Sequence, residues 1–195
     1  MFPHRSEENS HARYVGVDDG RFIFRHSREK THETAILAAV VLENHRIMAL
    51  RLGTITVDGV DATTTLKRLL RGLRFDAIFL SGISFAGFNL IDPFKICQSY
   101  KKPVIIISGS CPDNRSVRKA LRLHFKDWRT RWATIKRLGK IHHIRSSDTE
   151  PPIFFEFVGE SLHNVRRLVR HSAKLGRIPE PIRVAGLVAK GLSRG

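Results

Sequence analysis

Val15-Gly16-Val17-Asp18-Asp19-Gly20 ends an apolar strand start in two adjacent carboxylates. Carboxylates inside an otherwise apolar strand are costly unless something pairs with them. The strand must therefore deliver them to an edge where water, donors or a cation can reach. Two further apolar segments, Thr34–Glu43 and residues 46–57, come before the first amphipathic helix, which opens near Asp61. The polar turn Glu43-Asn44-His45 joins these two segments as a hairpin, although the run 34–43 alone suits a helix as well as a strand.

Beyond that point strands and helices alternate. Asp58-Gly59 is a turn dipeptide, and Asp61 is placed to cap a helix over 62–72, whose Leu66, Leu69, Leu70 and Leu73 recur at helical spacing. Residues 75–80 read as a short buried strand ending at Ser81-Gly82. Asp92-Pro93 opens a second helix, and residues 103–108 form another apolar strand. A third helix follows Cys111-Pro112-Asp113 and carries Val117, Leu121, Phe125, Trp128, Trp132 and Ile135 at steps of three and four. Its tryptophans read as part of this core-facing stripe, with Arg118, Arg122, Lys126 and Arg129 forming a cationic stripe beside it. His142-His143 reads as a solvated basic loop. A last strand over 153–158 and helices near 161–175 and 181–192 complete the chain. This order predicts an α/β fold on a mixed sheet: three antiparallel strands first, then parallel ones, with helices on both faces. Ligands gather at the carboxyl ends of such parallel strands.

A chain of 195 residues, 42% of them hydrophobic, is long enough for one domain with its own core. Residues 14–195 are expected to form it, and residues 1–13 a loose tail. That tail holds His4, Arg5, Glu7 and Glu8 and has no apolar stretch of the kind a secretory signal needs. No apolar run approaches the roughly 20 residues that cross a bilayer. Cys97 and Cys111 form no CxxC pair, which points away from disulfides and structural zinc and towards a reducing, cytoplasmic setting. The net charge of +16 names polyanions as partners. Residues 115–145 alone hold eleven lysines and arginines against the single acid Asp127, a net +10. Such clustering favours a binding surface over general solubility.

Several blocks in order carry a family resemblance: Gly16-Val17-Asp18-Asp19-Gly20, Thr56-Val57-Asp58-Gly59-Val60-Asp61-Ala62-Thr63, Gly82-Ile83-Ser84-Phe85-Ala86-Gly87-Phe88-Asn89, Pro179-Glu180-Pro181-Ile182-Arg183-Val184-Ala185 and Ser193-Arg194-Gly195. From Tyr14 onward the chain resembles the archaeal endonuclease-V-like family. The resemblance implies a ribonuclease-H-like fold and a distant relationship to endonuclease V, a metal-dependent enzyme that nicks beside deaminated purines. In that enzyme's pattern Gly16-Val17-Asp18 stands at the first-strand Gly-x-Asp. A second carboxylate is expected just before the first helix, where this chain offers Asp58 or Asp61. The third, an Asp-Gly pair ending the fourth strand, is Ser81-Gly82 here.

Two magnesium or manganese ions about 3.5–4 Å apart hydrolyse phosphodiesters in such sites, and magnesium is held by a few converging carboxylates. Asp18, with Asp58 or Asp61, forms the expected catalytic set, and Asp18, Asp58 and Ser81 the expected metal set. Asp19 points to the other sheet face. Capping alone explains Asp61, and a turn alone explains Asp58 about as well as a site does. Ser81 brings no charge for a second ion, which weakens two-ion catalysis and leaves a single-ion, manganese-requiring nuclease or an inactive nucleic-acid-binding module of the same fold. Gly82, Gly87 and Asn89 lie in a glycine-punctuated turn suited to phosphate, although ordinary loop geometry also explains it. With Arg118, Arg122, Lys126 and Arg129 they complete the expected nucleic-acid contacts.

Overall fold

The computed structural model describes residues 11–23, 33–44, 46–145 and 150–193. The strands are β1 (Arg13–Ile23), β2 (Thr34–Glu43), β3 (Arg46–Thr56), β4 (Ala77–Leu80), β5 (Ser84–Phe85), β6 (Asn89–Leu90), β7 (Val104–Ser108), β8 (His142–Ile144) and β9 (Ile153–Val158). The helices are α1 (Ala62–Leu70), α2 (Pro93–Tyr100), α3 (Asn114–His124), α4 (Trp128–Leu138), α5 (Leu162–Ser172) and α6 (Glu180–Leu192).

Seven strands form one sheet in the order β3-β2-β1-β4-β7-β9-β8. The first three pair antiparallel, and β1, β4 and β7 run parallel. The mixed α/β sheet expected from the sequence is therefore present, with two additions. Strand β9 runs antiparallel to β7, because it returns from the short edge strand β8 as an antiparallel partner. His142 and His143 lie in that edge strand rather than in a loop, and their rings lie against Phe155, Phe157 and Phe154. Arg13, assigned to the tail from the sequence, is already in β1 and is bonded to Asp76 and Glu43; residues 1–10 lie outside the described residues.

Alternation along β1 decides which helices meet the site. Val15 and Val17 are fully buried against Leu66, Leu69 and Leu70 of α1 and Ile96 of α2. On the other face Ala77, Phe79, Ile105 and Ile107 pack under Val165 and Val169 of α5 and Ile182 of α6. Gly16 and Asp18 share this second face with α6. Helix α6 lies so close to β1 that a Cβ at Gly16 would run into the Pro181 carbonyl.

Asp92 caps α2 by accepting from the Phe94 and Lys95 amides, as its place before Pro93 predicts. The single third helix expected from the sequence is two. Phe125 turns extended (φ −125°, ψ 126°), and its ring meets Phe88 edge-on at 5.4 Å.

One buried acid lies away from the carboxylate pair. Glu156 on β9, opposite Ile106, is 6% exposed, and burial raises its pKa from 4.5 to about 7. A raised folded-state pKa contributes stability that is complete below the unfolded value and lost as pH climbs from about 4.5 to about 7. Urea unfolding of wild type and Glu156→Gln is expected to give a difference that grows in the variant's favour across that window and levels off above it. A pH-independent difference would show that the acid titrates normally.

Candidate functional site

The end of β1 sends its two acids to opposite faces of the sheet. Asp18 turns toward α6. Its Oδ1 accepts the Ser81 hydroxyl and the Asp19 amide (3.0 Å), and Lys190 Nζ stands 3.8 Å from Oδ2. Only 14% of the side chain is exposed, and a Cβ at Gly186 would collide with its Oδ2, so a glycine in α6 makes room for the carboxylate. Burial raises the Asp18 pKa above the ordinary carboxylate value, against the Ser81 and Asp19 hydrogen bonds and Lys190. Ser81 reaches it because its own amide continues the β1–β4 ladder to the Val17 carbonyl (3.1 Å). The neighbouring Gly82 is half-buried at φ +128°, a backbone conformation open chiefly to glycine.

A cavity of about 370 Å³ opens over Asp18. Its walls are aliphatic (Leu175, Ile178, Ile182, Leu187), and its cations are Arg177, Arg183 and Lys190. Arg177 donates to the Gly109 and Pro152 carbonyls, which seats it at the carboxyl end of β7. An acid with a raised pKa under a cationic rim is the arrangement that marks candidate functional sites.

Asp19 faces the other way. Its carboxylate accepts the Ala86 amide, and burial, reinforced by the charge of Asp18, raises its pKa. Asp58 meets the same short loop: its amide donates to the Ala86 carbonyl (2.8 Å), and its Oδ1 accepts from the Phe88 amide (2.8 Å). Asp58, Ala86 and Gly87 have φ of +56°, +43° and +82°. Gly87 is needed there, since a Cβ would strike the Asp58 carboxylate.

Asp61 and Asn89 serve the fold instead. The Asp61 carboxylate accepts the Thr56 amide and hydroxyl and the Asn89 amide nitrogen, and it makes no cap bond to α1. Asn89 Oδ1 takes that place by accepting from the Ala62 amide (3.0 Å). Asn89 is fully buried, with its amide nitrogen also bonded to the Thr56 carbonyl. One sequence expectation is corrected by this geometry: the Asp61 side chain does not cap α1. Its oxygens are bonded to the Thr56 amide and hydroxyl and to Asn89, and Asn89 is a buried strut between Thr56 and Ala62.

The donor set decides whether a pair of divalent ions fits. Among the described residues no three carboxylate, imidazole or thiol groups lie close enough to hold an ion together. Of the expected ligands, Asp18 and Ser81 meet. Asp58, in the turn before α1, is instead bonded to the Ala86–Phe88 loop that Asp19 also holds. Among the described residues Asp18 is the one carboxylate lining the cavity, with Ser81 on one oxygen and Lys190 facing the other. These residues do not fit two magnesium or manganese ions, which require converging carboxylates.

The sequence did not single out Arg131. It is 8% exposed and binds the carbonyls of Asp58 (3.0 Å), Gly59 (2.9 Å) and Phe88 while pairing with both oxygens of Asp127 (3.0 Å). The i, i+4 pair with Asp127, the lone acid of that basic stretch, was the available clue.

The expected cationic stripe is split: Arg118 and Arg122 lie on α3, Arg129 on α4 and Lys126 in the connection between them, and all four reach solvent. Beside it is a groove of about 440 Å³ lined by Arg115, Arg118, Lys119, Arg122 and Leu123. Trp128 and Trp132 are half-buried and stack with arginines, so they are not core residues of the stripe. No helix among the described residues is long and apolar enough to cross a membrane. Cys97 and Cys111 are both free thiols.

Comparison with known proteins agrees with this architecture. A family model for endonuclease dU matches residues 10–193. A UPF0215 protein of Thermococcus gammatolerans is 34% identical over 187 residues, covering 94% of this chain and 93% of its own length. Among solved structures, a protein of unknown function from Archaeoglobus fulgidus superposes with a TM-score of 0.79 at 26% identity, over 94% of this chain and 99% of that one. Ciona intestinalis endonuclease V, in complex with inosine-containing DNA, superposes with a TM-score of 0.54 at 17% identity, over 93% and 86%, a likeness of fold. With a model that spans its sheet and every helix, the chain belongs to the endonuclease dU family.

Proposed function

We propose that this protein binds nucleic acid through the phosphate backbone, on a nuclease fold whose hydrolytic centre is reduced to one carboxylate. The observation that carries the reading is the exposed arginine surface of α3 and α4, at the same end of the sheet as Asp18. Cations that neutralise phosphates release counterions and supply affinity independent of base sequence. Helix α3 follows the carboxyl end of β7, and Arg177 sits at that end with Arg183 and Lys190 beyond it, so positive charge continues toward Asp18.

A second reading, hydrolysis at Asp18, has its own support: a raised, cavity-lining acid ringed by cations, in a chain whose family bears the name endonuclease dU. On that reading Asp18 accepts a proton or holds a cation, Ser81 orients its carboxylate, and Arg177, Arg183 and Lys190 offset phosphate charge. The inactive-binder reading is preferred because both oxygens of Asp18 already have partners and, among the described residues, no other carboxylate lines its cavity.

The separating experiment incubates purified protein, with magnesium or manganese, with oligonucleotides containing deoxyuridine, deoxyinosine or neither. Retention of the strands without nicking is expected, and Asp18→Ala is expected to leave retention unchanged. Nicking by wild type that Asp18→Ala abolishes would replace this reading with the hydrolytic one.

A further inference from the structure

Every arginine–ring stack between described residues has its arginine between positions 118 and 137. Two of these stacks bridge α3 and α4 as rungs: Arg118 over Trp132 at 5.8 Å, and Arg122 over Trp128 at 5.6 Å. Arg129 shares the Trp128 ring at 4.8 Å. The rungs pair residues one turn apart on each helix, so they stand about 6 Å apart, comparable to the step between successive phosphates on one strand. Arg118, Arg122 and Arg129 are exposed and make no ion pair among the described residues, while both indoles are half-buried.

A guanidinium lying on an indole spends its face on the ring and keeps its N–H edge free, which suits two-pronged contact with phosphate. Holding it there removes freedom that binding would otherwise have to take away. Resting on the nucleic-acid reading above, we infer that Trp128 and Trp132 are positioning residues. They seat Arg118, Arg122 and Arg129 as a base-independent phosphate clamp, and the indoles do not stack on bases.

The test compares wild type, Trp128→Leu, Trp132→Leu and Trp128→Phe, measuring affinity for duplex DNA, single-stranded DNA and inorganic polyphosphate, with thermal unfolding alongside. Each leucine variant keeps net charge and apolar bulk. It is expected to weaken binding about 3- to 10-fold on all three ligands, with little change in melting temperature and with recovery in Trp128→Phe. Loss on single-stranded DNA alone would mean that the indole stacks on bases, and would overturn the clamp. Unchanged affinity in both leucine variants would also overturn it and leave the binding surface standing. Absence of wild-type binding to any of the three polyanions would instead remove the reading on which the clamp rests.

Discussion

Arg131→Ala is expected to cost about 3–5 kcal/mol of stability and to lower the melting temperature by roughly 10 °C. Its guanidinium is buried and is the donor that closes the Asp58, Gly59 and Phe88 carbonyls against α4, with the Phe125 ring 4.4 Å away. Truncation strands those carbonyls, and a buried acceptor left unpaired costs about 1–3 kcal/mol. The change also frees a strained region. Asp58 and Ala86 hold positive φ, a conformation that costs on the order of 1 kcal/mol or more for residues other than glycine and persists only when its surroundings enforce it. Arg131→Lys is expected to rescue little, since one ammonium cannot span the carbonyls that a planar fork reaches. Asp127→Asn is expected to do much less harm, because the Asp127 side chain is 45% exposed. Urea or thermal unfolding of the three variants decides the matter. A lysine variant as stable as wild type would show that charge alone, and not the fork, holds the loops.

Arg122→Glu with Arg129→Glu is expected to reduce nucleic-acid affinity by about 30-fold or more near physiological salt, because two phosphate contacts become two repulsions. Both side chains are exposed, flank one indole and make no ion pair among the described residues, so reversal breaks no buried network. Unfolding stability is therefore expected to stay close to wild type, which separates this variant from Arg131→Ala on the same helix pair. Asp18→Ala provides the complementary control. It removes the carboxylate under α6 without altering the α3 and α4 surface, so binding is expected to survive.

Much of the fold was legible in the sequence because its signals are local. The alternation of β1, the polar turn after Glu43, the Asp92-Pro93 helix start and the leucine spacing of α1 each report on a few neighbouring residues. What stayed hidden depends on distant partners. The break at Phe125 preserves steps of three and four on both sides, so periodicity reads straight through it; the cause is the packing of Phe125 on Phe88. The direction of β9 follows from its hairpin with β8, whose three residues are too few to announce a strand. Asp61 satisfied every local rule for a cap, yet Asn89, 28 residues along, supplies the oxygen instead.

The site divides along the same line. The placement of Asp18 and Asp19 on opposite faces followed from strand geometry, and the neutral Ser81 beside Asp18 was visible by its position. That α6 closes over Asp18, with Gly186 giving way and Lys190 facing the carboxylate, depends on how the last helix docks. The same holds for the aromatic seats of the arginines, since residues 118 and 132 meet only once the helix folds back on itself.

Affinity for an unmodified oligonucleotide, titrated over salt concentration for wild type and for Arg122→Glu with Arg129→Glu, tests phosphate-backbone binding most directly. Log affinity for duplex DNA is expected to fall linearly with log salt at a slope of about −0.9 per phosphate contacted, and to flatten by about two contacts in the variant. A wild-type affinity that ignores salt, or a slope the variant leaves untouched, would contradict the assignment of the α3 and α4 arginines to the phosphate backbone.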